Sequence, residues 1–150
     1  HPSENDQRMM VRLLAFMRYA DEQLAFGKGL STDDEPDLWR RDLSGVIDLW
    51  ILVGQPDERW LRKAAGRAAR VVLFTYGGRV AQLWWEQNRA TLEKLANLTV
   101  FRLAPEDTLA LAALANRAMR LQCLIQDGEM LITGEGESLR IDPEVVFGKG

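Results

Sequence analysis

An aspartate inside an apolar segment is the residue of this sequence with the clearest chemical potential. Asp48 interrupts residues 46–53, a run of β-branched, aromatic and aliphatic residues that predicts a buried strand. A lone buried carboxylate costs several kcal/mol or shifts its pKa. Asp48 is therefore predicted to be ion-paired, to lie at an exposed sheet margin, or to take part in function.

The scarcity of cysteine and histidine narrows the possible chemistry. The 150-residue chain contains one cysteine, Cys123, and one histidine, His1. An internal disulfide, a thiolate zinc cluster and a histidine-based triad are therefore excluded, and Cys123 is interpreted as a small core residue. A metal ion would have carboxylate and carbonyl ligands, which favours Mg²⁺ or Mn²⁺.

Positive charge is concentrated in a predicted helix that begins at Pro56. The net charge of −3 and the pI of about 5.3 give no global attraction to nucleic acid or anionic membrane. Phosphate binding would need a local patch, and the helix offers Arg59, Arg62, Lys63, Arg67 and Arg70. These residues form either a solvated face or a phosphate-contact surface.

The first predicted helix, residues 3–21, carries a second polar stripe. Its spacing places Glu4, Arg8, Arg12 and Tyr19 on one side, away from an apolar stripe that faces the core. This polar side is interpreted as a solvated face with salt bridges, and the alternative is the wall of a site.

These residues must be positioned by a mixed α/β fold. The pattern predicts one domain, residues 1–150, with the element order α-β-β-β-α-β-α-β-α followed by a β-meander. The last strand is predicted at 139–141 and a frayed tail from Phe147. No segment resembles a membrane span or signal peptide, so a cytoplasmic protein is expected.

The predicted hairpin of residues 36–53 decides which acids can meet. If it folds about Ser44, Asp37 lies beside Leu52, and Asp48 lies closer to the turn. Alternation of the strand sends Ile47 to one face and Asp48 to the other, together with Trp50.

Several motifs together resemble one family over nearly the whole chain. They are His1-Pro2-Ser3-Glu4, Gly54-Gln55-Pro56-Asp57-Glu58, Phe74-Thr75-Tyr76, Trp84-Trp85, Asn97-Leu98, Met119-Arg120-Leu121-Gln122 and Ile125-Gln126-Asp127-Gly128. On these motifs the chain is similar to the YaeQ family of small bacterial proteins. The resemblance implies a restriction-endonuclease-like PD-(D/E)XK variant, a mixed β-sheet flanked by helices. It also implies a further strand-forming segment upstream of residue 1.

The resemblance further implies a site for one or two Mg²⁺ ions. Such a site uses acids from adjacent strands, often a glutamate from the first helix, and a lysine two residues after the second acid. Glu4 matches the helix acid and Asp37 one strand acid. Asp48-Leu49-Trp50 has the spacing of the second motif, but Trp50 replaces the lysine.

An alternative registration places Leu52-Val53-Gly54 on that motif. Related sequences usually carry an acid at the position of Leu52, so the leucine removes a potential ligand. Lys63 is then a candidate migrated lysine, and Gln55 a candidate neutral substitute near the metal.

Two principal functions remain open on this basis. The first is Mg²⁺- or Mn²⁺-dependent phosphodiester hydrolysis at a cleft formed by Glu4, Asp48 and Asp37, with catalytic roles for Gln55 and Lys63. The second is a catalytically degenerate module that binds nucleic acid or protein. Nucleic-acid contacts are predicted at Arg8, Arg12, Arg62 and Arg67. A third reading is a structural protein in which Asp48 is merely paired.

Overall fold

The computed structural model describes residues 2–29, 35–117 and 120–150, apart from the side chains of residues 2–5 and 117. The helices are α1 (Pro2–Arg18), α2 (Glu58–Ala65), α3 (Arg79–Leu92) and α4 (Pro105–Arg117). The strands are β1 (Leu24–Phe26), β2 (Leu38–Arg41), β3 (Ile47–Val53), β4 (Ala68–Thr75), β5 (Leu98–Arg102), β6 (Gln122–Gln126), β7 (Glu129–Gly134), β8 (Glu137–Ile141) and β9 (Glu144–Phe147). The predicted mixed α/β element order is confirmed.

Six strands form the main sheet in the order β1-β2-β3-β4-β5-β9. The central strands β3, β4 and β5 are parallel, whereas β1, β2 and β9 pair antiparallel to their neighbours. Helices cover both faces of the parallel centre, and this explains why β3 and β4 read as nearly continuous apolar runs.

The two faces of the main sheet belong to two hydrophobic clusters. On one face α1, α4 and the small sheet pack over β3 and β4, with Leu49, Ile51 and Val53 as the contribution of β3. On the other face α2 and α3 pack over residues that include Trp50 and Leu52. Successive side chains of β3 point to opposite faces of the sheet, so the strand contributes residues to both clusters.

A second sheet of three strands has the order β6-β7-β8. Its two hairpins turn at Asp127-Gly128 and Glu135-Gly136, and all four residues have positive φ. This is the conformation that a two-residue type I′ hairpin requires. The predicted meander and its Asp127-Gly128 turn are confirmed.

The predicted face of Ile47 and Asp48 is wrong because β3 contains a bulge. The β2 partners shift from Arg40↔Leu49 to Arg41↔Ile47, so Asp48 is the extra residue. Ile47 consequently packs with the α2 and α3 cluster, and Asp48 lies beside Asp21 and Arg40 instead of beside Trp50.

The predicted frayed tail is also wrong. The strand β9 returns to the main sheet and pairs with β5. Beyond it, the carbonyl of Lys149 accepts hydrogen bonds from Thr99 Oγ1 at 2.9 Å and from Arg70 Nη2 at 2.8 Å. The prediction failed because the strand-favouring run Val145-Val146-Phe147 is only three residues long, and its partner β5 lies far away in the sequence.

None of the helices in the described part of the chain combines the length and apolar character that crossing a lipid bilayer requires.

Candidate functional site

The candidate site is a small cavity where β3 ends and the chain approaches α2. Its volume is about 60 Å³, enough for a few water molecules or one small group. Its walls include Arg8, Asp37, Leu52, Gln55 and Trp60. The carboxyl ends of parallel strands are the usual position of binding sites in open α/β sheets.

Asp37 is the central side chain of this cavity and is 1% exposed. It immediately precedes β2, and its backbone N–H donates to the carbonyl of Ile51 at 3.0 Å. Its Oδ2 accepts from the N–H of Val53 at 2.9 Å, and its Oδ1 accepts from Arg8 Nη2 at 2.5 Å. The Nε of Arg12 lies 3.3 Å from the same Oδ1.

Arg8 and Arg12 lie one helical turn apart on α1 and face the sheet. Arg8 Nη1 donates to the carbonyl of Val53 at 3.1 Å, and Arg12 Nη2 donates to the carbonyls of Gly27 and Asp37. Their side chains are 18% and 27% exposed. The interpretation of this stripe as a solvated face is therefore wrong for both arginines, because they bind the buried Asp37.

The electrostatics of the cavity follow from this arrangement. Burial raises the pKa of Asp37, and the charge of Arg8, the Val53 N–H and the charge of Arg12 act in the opposite direction. Among the described residues, one carboxylate thus faces two guanidinium groups. When Asp37 is ionised, these three side chains together carry a net charge of +1.

Two glycines allow the chain to approach this cluster. Gly29 has φ +66°, and a Cβ there would collide with Oδ1 of Asp37. Gly54 has φ +93°, donates its N–H to the carbonyl of Phe74, and leaves space beside the Arg8 guanidinium. The positive φ disfavours a side chain at both positions, and at Gly29 the contact with Asp37 opposes one as well.

Gln55 joins the ends of the two central strands. Its Oε1 accepts from the backbone N–H of Tyr76 at 3.1 Å, and the residue also lines the cavity. The structure therefore brings four predicted site residues together: Arg8, Asp37 and Gln55 line the cavity, and Arg12 pairs with Asp37.

The donor set of the described residues does not fit a divalent metal ion. Asp37 is the one carboxylate among the described cavity residues, and Arg8, Arg12 and Val53 already occupy its oxygens. Leu52 offers no ligand, and within residues 2–29, 35–117 and 120–150 no cluster of three histidine, cysteine or acidic residues could hold a metal. The side chain of Glu4 lies outside the described residues.

Asp48 lies toward the other end of β3. It is 41% exposed, and both carboxylate oxygens accept from Arg40 Nε, at 3.0 and 3.1 Å. Four residues of strand, about 13 Å, separate it from Leu52 and hence from the cavity. The structure does not bring Asp48 and Asp37 together at one site.

The prediction that one helix carries all five basic residues is wrong, because α2 ends at Ala65, so that Arg67 follows the helix and Arg70 lies in β4. The arginines that remain on α2 are compensated by acids. Arg62 pairs with Glu58 at 2.6 Å and Arg59 with Asp57 at 2.6 Å. Arg59 lowers the pKa of Asp57 to about 2, through its side-chain and backbone hydrogen bonds. Lys63 is exposed on α2, and the cavity is lined by Trp60 of this helix instead.

Sequence reasoning did not identify Trp60 or Gly29 as cavity residues. One feature of the sequence indicates the pairing of Arg8 and Arg12 with a common partner: residues four positions apart lie on the same side of a helix. That signal could not name the partner, which lies on a different element.

Comparison with known proteins places the chain in a family. The family model described as YaeQ protein matches residues 1–143. The chain is 48% identical over 142 residues to the Escherichia coli (strain K12) protein named "Uncharacterized protein YaeQ", a match that covers 95% of this chain and 78% of that protein.

Two solved structures show the same architecture. The YaeQ protein from Xanthomonas axonopodis pv. citri is 48% identical with a TM-score of 0.90, over 99% of this chain and 84% of that one. The YaeQ protein from Pseudomonas syringae is 33% identical with a TM-score of 0.87, over 99% and 82%. The chain belongs to the YaeQ family.

Proposed function

We propose that this chain binds phosphate groups of nucleic acid at the Asp37 cavity and does not hydrolyse them. The observation that carries this proposal is the pairing of Asp37 with both Arg8 and Arg12 beside the apolar Leu52. A metal-dependent phosphodiesterase needs a cluster of acids, because ligand charge sets affinity for a hard cation. The described side chains around Asp37 have the opposite balance, with two guanidinium groups to one carboxylate.

Arg8 is suited to an anionic ligand. A guanidinium has five N–H donors, and among the described residues the bonds to Asp37 and Val53 use two of them. The side chain is partly exposed in the cavity. Arginine in such a position favours phosphate, because its planar fork can bind two oxygens at once.

The element order supports a distant relation to nucleases. The succession α1-β1-β2-β3-α2-β4 is the αβββαβ core that the family resemblance implies. Leu52 lines the cavity with Asp37, at a position where the family resemblance implies an acid. We infer a PD-(D/E)XK-like protein that keeps the fold and has lost hydrolysis.

The test uses the folded chain with fluorescently labelled single-stranded and duplex DNA and RNA of equal length. Anisotropy without divalent metal should show binding that weakens with salt, and incubation with Mg²⁺ or Mn²⁺ should leave the strands intact. Metal-dependent cleavage that disappears in Asp37→Asn would instead establish the predicted nuclease. Absence of binding to every strand would overturn the binding proposal.

A pair of variants locates the binding. Leu52→Glu adds negative charge to the cavity and should weaken binding tenfold or more in metal-free buffer. Leu52→Gln adds a similar volume without charge and should retain most of the affinity. Equal affinities for the two variants would contradict phosphate binding at this cavity.

A further inference from the structure

Two tryptophans and two arginines form a second feature on the face of the sheet that also carries Leu52. Trp39 of β2 is paired in register with Trp50 of β3, and their rings meet edge to face at 5.8 Å. The guanidinium carbon of Arg41 lies 4.2 Å from the centroid of the Trp39 ring, and that of Arg67 lies 4.8 Å from the Trp50 ring. We call these four residues the tryptophan shelf.

The cations of the shelf differ from those of α2. Arg59 and Arg62 are neutralised by neighbouring acids, whereas Arg41 and Arg67 make no ion pair with any residue that the structure describes. Both arginines are exposed. A guanidinium stacked on a ring keeps its N–H edge available, so each can donate to a phosphate.

The outer part of the shelf, formed by Trp39, Arg41 and Arg67, is accessible, whereas Trp50 is buried beneath it. The helix α2 packs against β4, while Trp39 is half-buried and its β1 partner Ala25 is exposed. Trp50 and Leu52 belong to the same face of β3. The shelf therefore continues along the sheet toward the cavity that Leu52 and Asp37 line.

We propose that the tryptophan shelf binds a single strand of nucleic acid. A base stacks on the Arg41–Trp39 pair, and Arg41 and Arg67 bind backbone phosphates on either side. This inference rests on the proposed function. It adds the position of the bound nucleic acid on the protein surface and the prediction that this nucleic acid is single-stranded. Bases can stack on side chains only where they are not already stacked inside a duplex.

The shelf fits this partner better than an acidic peptide. Carboxylates would use the two arginines and leave the aromatic surface unused, whereas a nucleotide supplies both an anion and a flat ring. The net charge of −3 gives no long-range attraction, so affinity must come from such local contacts.

The first experiment measures binding of a labelled single-stranded oligonucleotide to Arg41→Gln/Arg67→Gln. We expect tenfold or greater loss of affinity and a shallower dependence of log K on log salt, by about 1.4 for two lost phosphate contacts on a single strand. The control Arg79→Gln/Lys94→Gln removes two exposed charges from the region of α3 and should leave affinity near that of the unmodified chain.

The second experiment tests stacking. Trp39→Phe should retain most of the affinity and Trp39→Leu should lose it, with circular dichroism confirming that both variants fold. Equal affinity of the two variants would overturn the stacking contact.

The outcomes separate the two proposals. Binding by the unmodified chain that is unaffected by Arg41→Gln/Arg67→Gln overturns the shelf and leaves the cavity proposal standing. Tighter binding to the matched duplex overturns the single-strand inference. Failure to bind any nucleic acid, with binding of a polyglutamate peptide that depends on Arg41 and Arg67, overturns both proposals and assigns the shelf to an acidic protein.

Discussion

Asp37 and Leu52 line one cavity together, although fifteen positions separate them in the chain. The hydrogen bond from the Asp37 N–H to the Ile51 carbonyl fixes this neighbourhood. Position 52 is therefore where a single substitution can change the chemistry of Asp37.

A carboxylate at position 52 is expected to create a metal site. In Leu52→Glu the new acid would share the cavity with Asp37, and a cation bound between the two carboxylates would have to displace Arg8 from Asp37. Millimolar MnCl₂ should raise the melting temperature of this variant, because ligand binding to the folded state stabilises it. Leu52→Gln and the unmodified chain are the controls, and an equal rise in either would show that the site does not depend on this acid.

Removing the charge of Asp37 should cost far more than removing that of Asp48. Asp37→Asn leaves Arg8 and Arg12 facing a neutral group in a buried site, which is expected to lower the free energy of unfolding by about 3–5 kcal/mol. Asp48 is 41% exposed on Arg40, and Asp48→Asn should cost less than about 1 kcal/mol. Urea unfolding of the two variants measures the difference, and similar costs would contradict the buried-pair interpretation.

Replacing Gly29 by alanine should destabilise the protein more than replacing Gly45, which also has a positive φ but has no atoms close to where a Cβ would lie. Gly29→Ala and Gly45→Ala both place a side chain at positive φ, at a cost of roughly 1–2 kcal/mol. Only at Gly29 would the methyl group also collide with Asp37, since nothing lies within 4 Å at Gly45. Gly29→Ala should therefore unfold at lower urea concentration. Equal midpoints would show that the loop moves away without cost.

The cap of α2 should make a stability contribution that disappears in acid. Asp57 accepts from the N–H of Arg59 at 2.9 Å, and its pKa is lowered to about 2. Because the folded-state pKa lies below that of the unfolded chain, the stabilisation is present above about pH 4 and is lost as the pH falls through about 2. Asp57→Ala should destabilise the protein at pH 7 and have less effect at pH 2.

The control for this prediction is Asp57→Ser, which retains a capping oxygen without a titrating charge. Thermal unfolding at both pH values measures the contrast. An effect of Asp57→Ala that does not change with pH would assign the contribution to the helix cap alone.

The central strands could be predicted because strands that are buried on both faces consist of nearly continuous apolar residues, and the order of elements along the chain followed from them. The runs ending at Val53 and Thr75 are examples. A hairpin about Ser44 also predicts Asp37 beside Leu52, and the observed pairing of Leu38 with Ile51 agrees with this prediction.

The remaining features depend on contacts that local pattern does not encode. The bulge at Asp48 places Ile47 on the face opposite to the predicted one. A bulge adds one unpaired residue to a strand, and the amino-acid composition of the strand does not reveal it. The strand β9 exists because β5 offers an open edge. The cavity combines residues of α1, β3 and α2, so its charge balance required the tertiary fold.

The pairing of β9 with β5 has a consequence for the order of folding. Between these adjacent strands the chain builds α4 and the whole β6-β7-β8 sheet. During synthesis, β5 remains an open edge until Glu144–Phe147 has emerged, and closing it joins segments distant in sequence. The nascent chain thus exposes an unpaired strand over a long interval, a state in which edge-to-edge association between copies competes with correct closure.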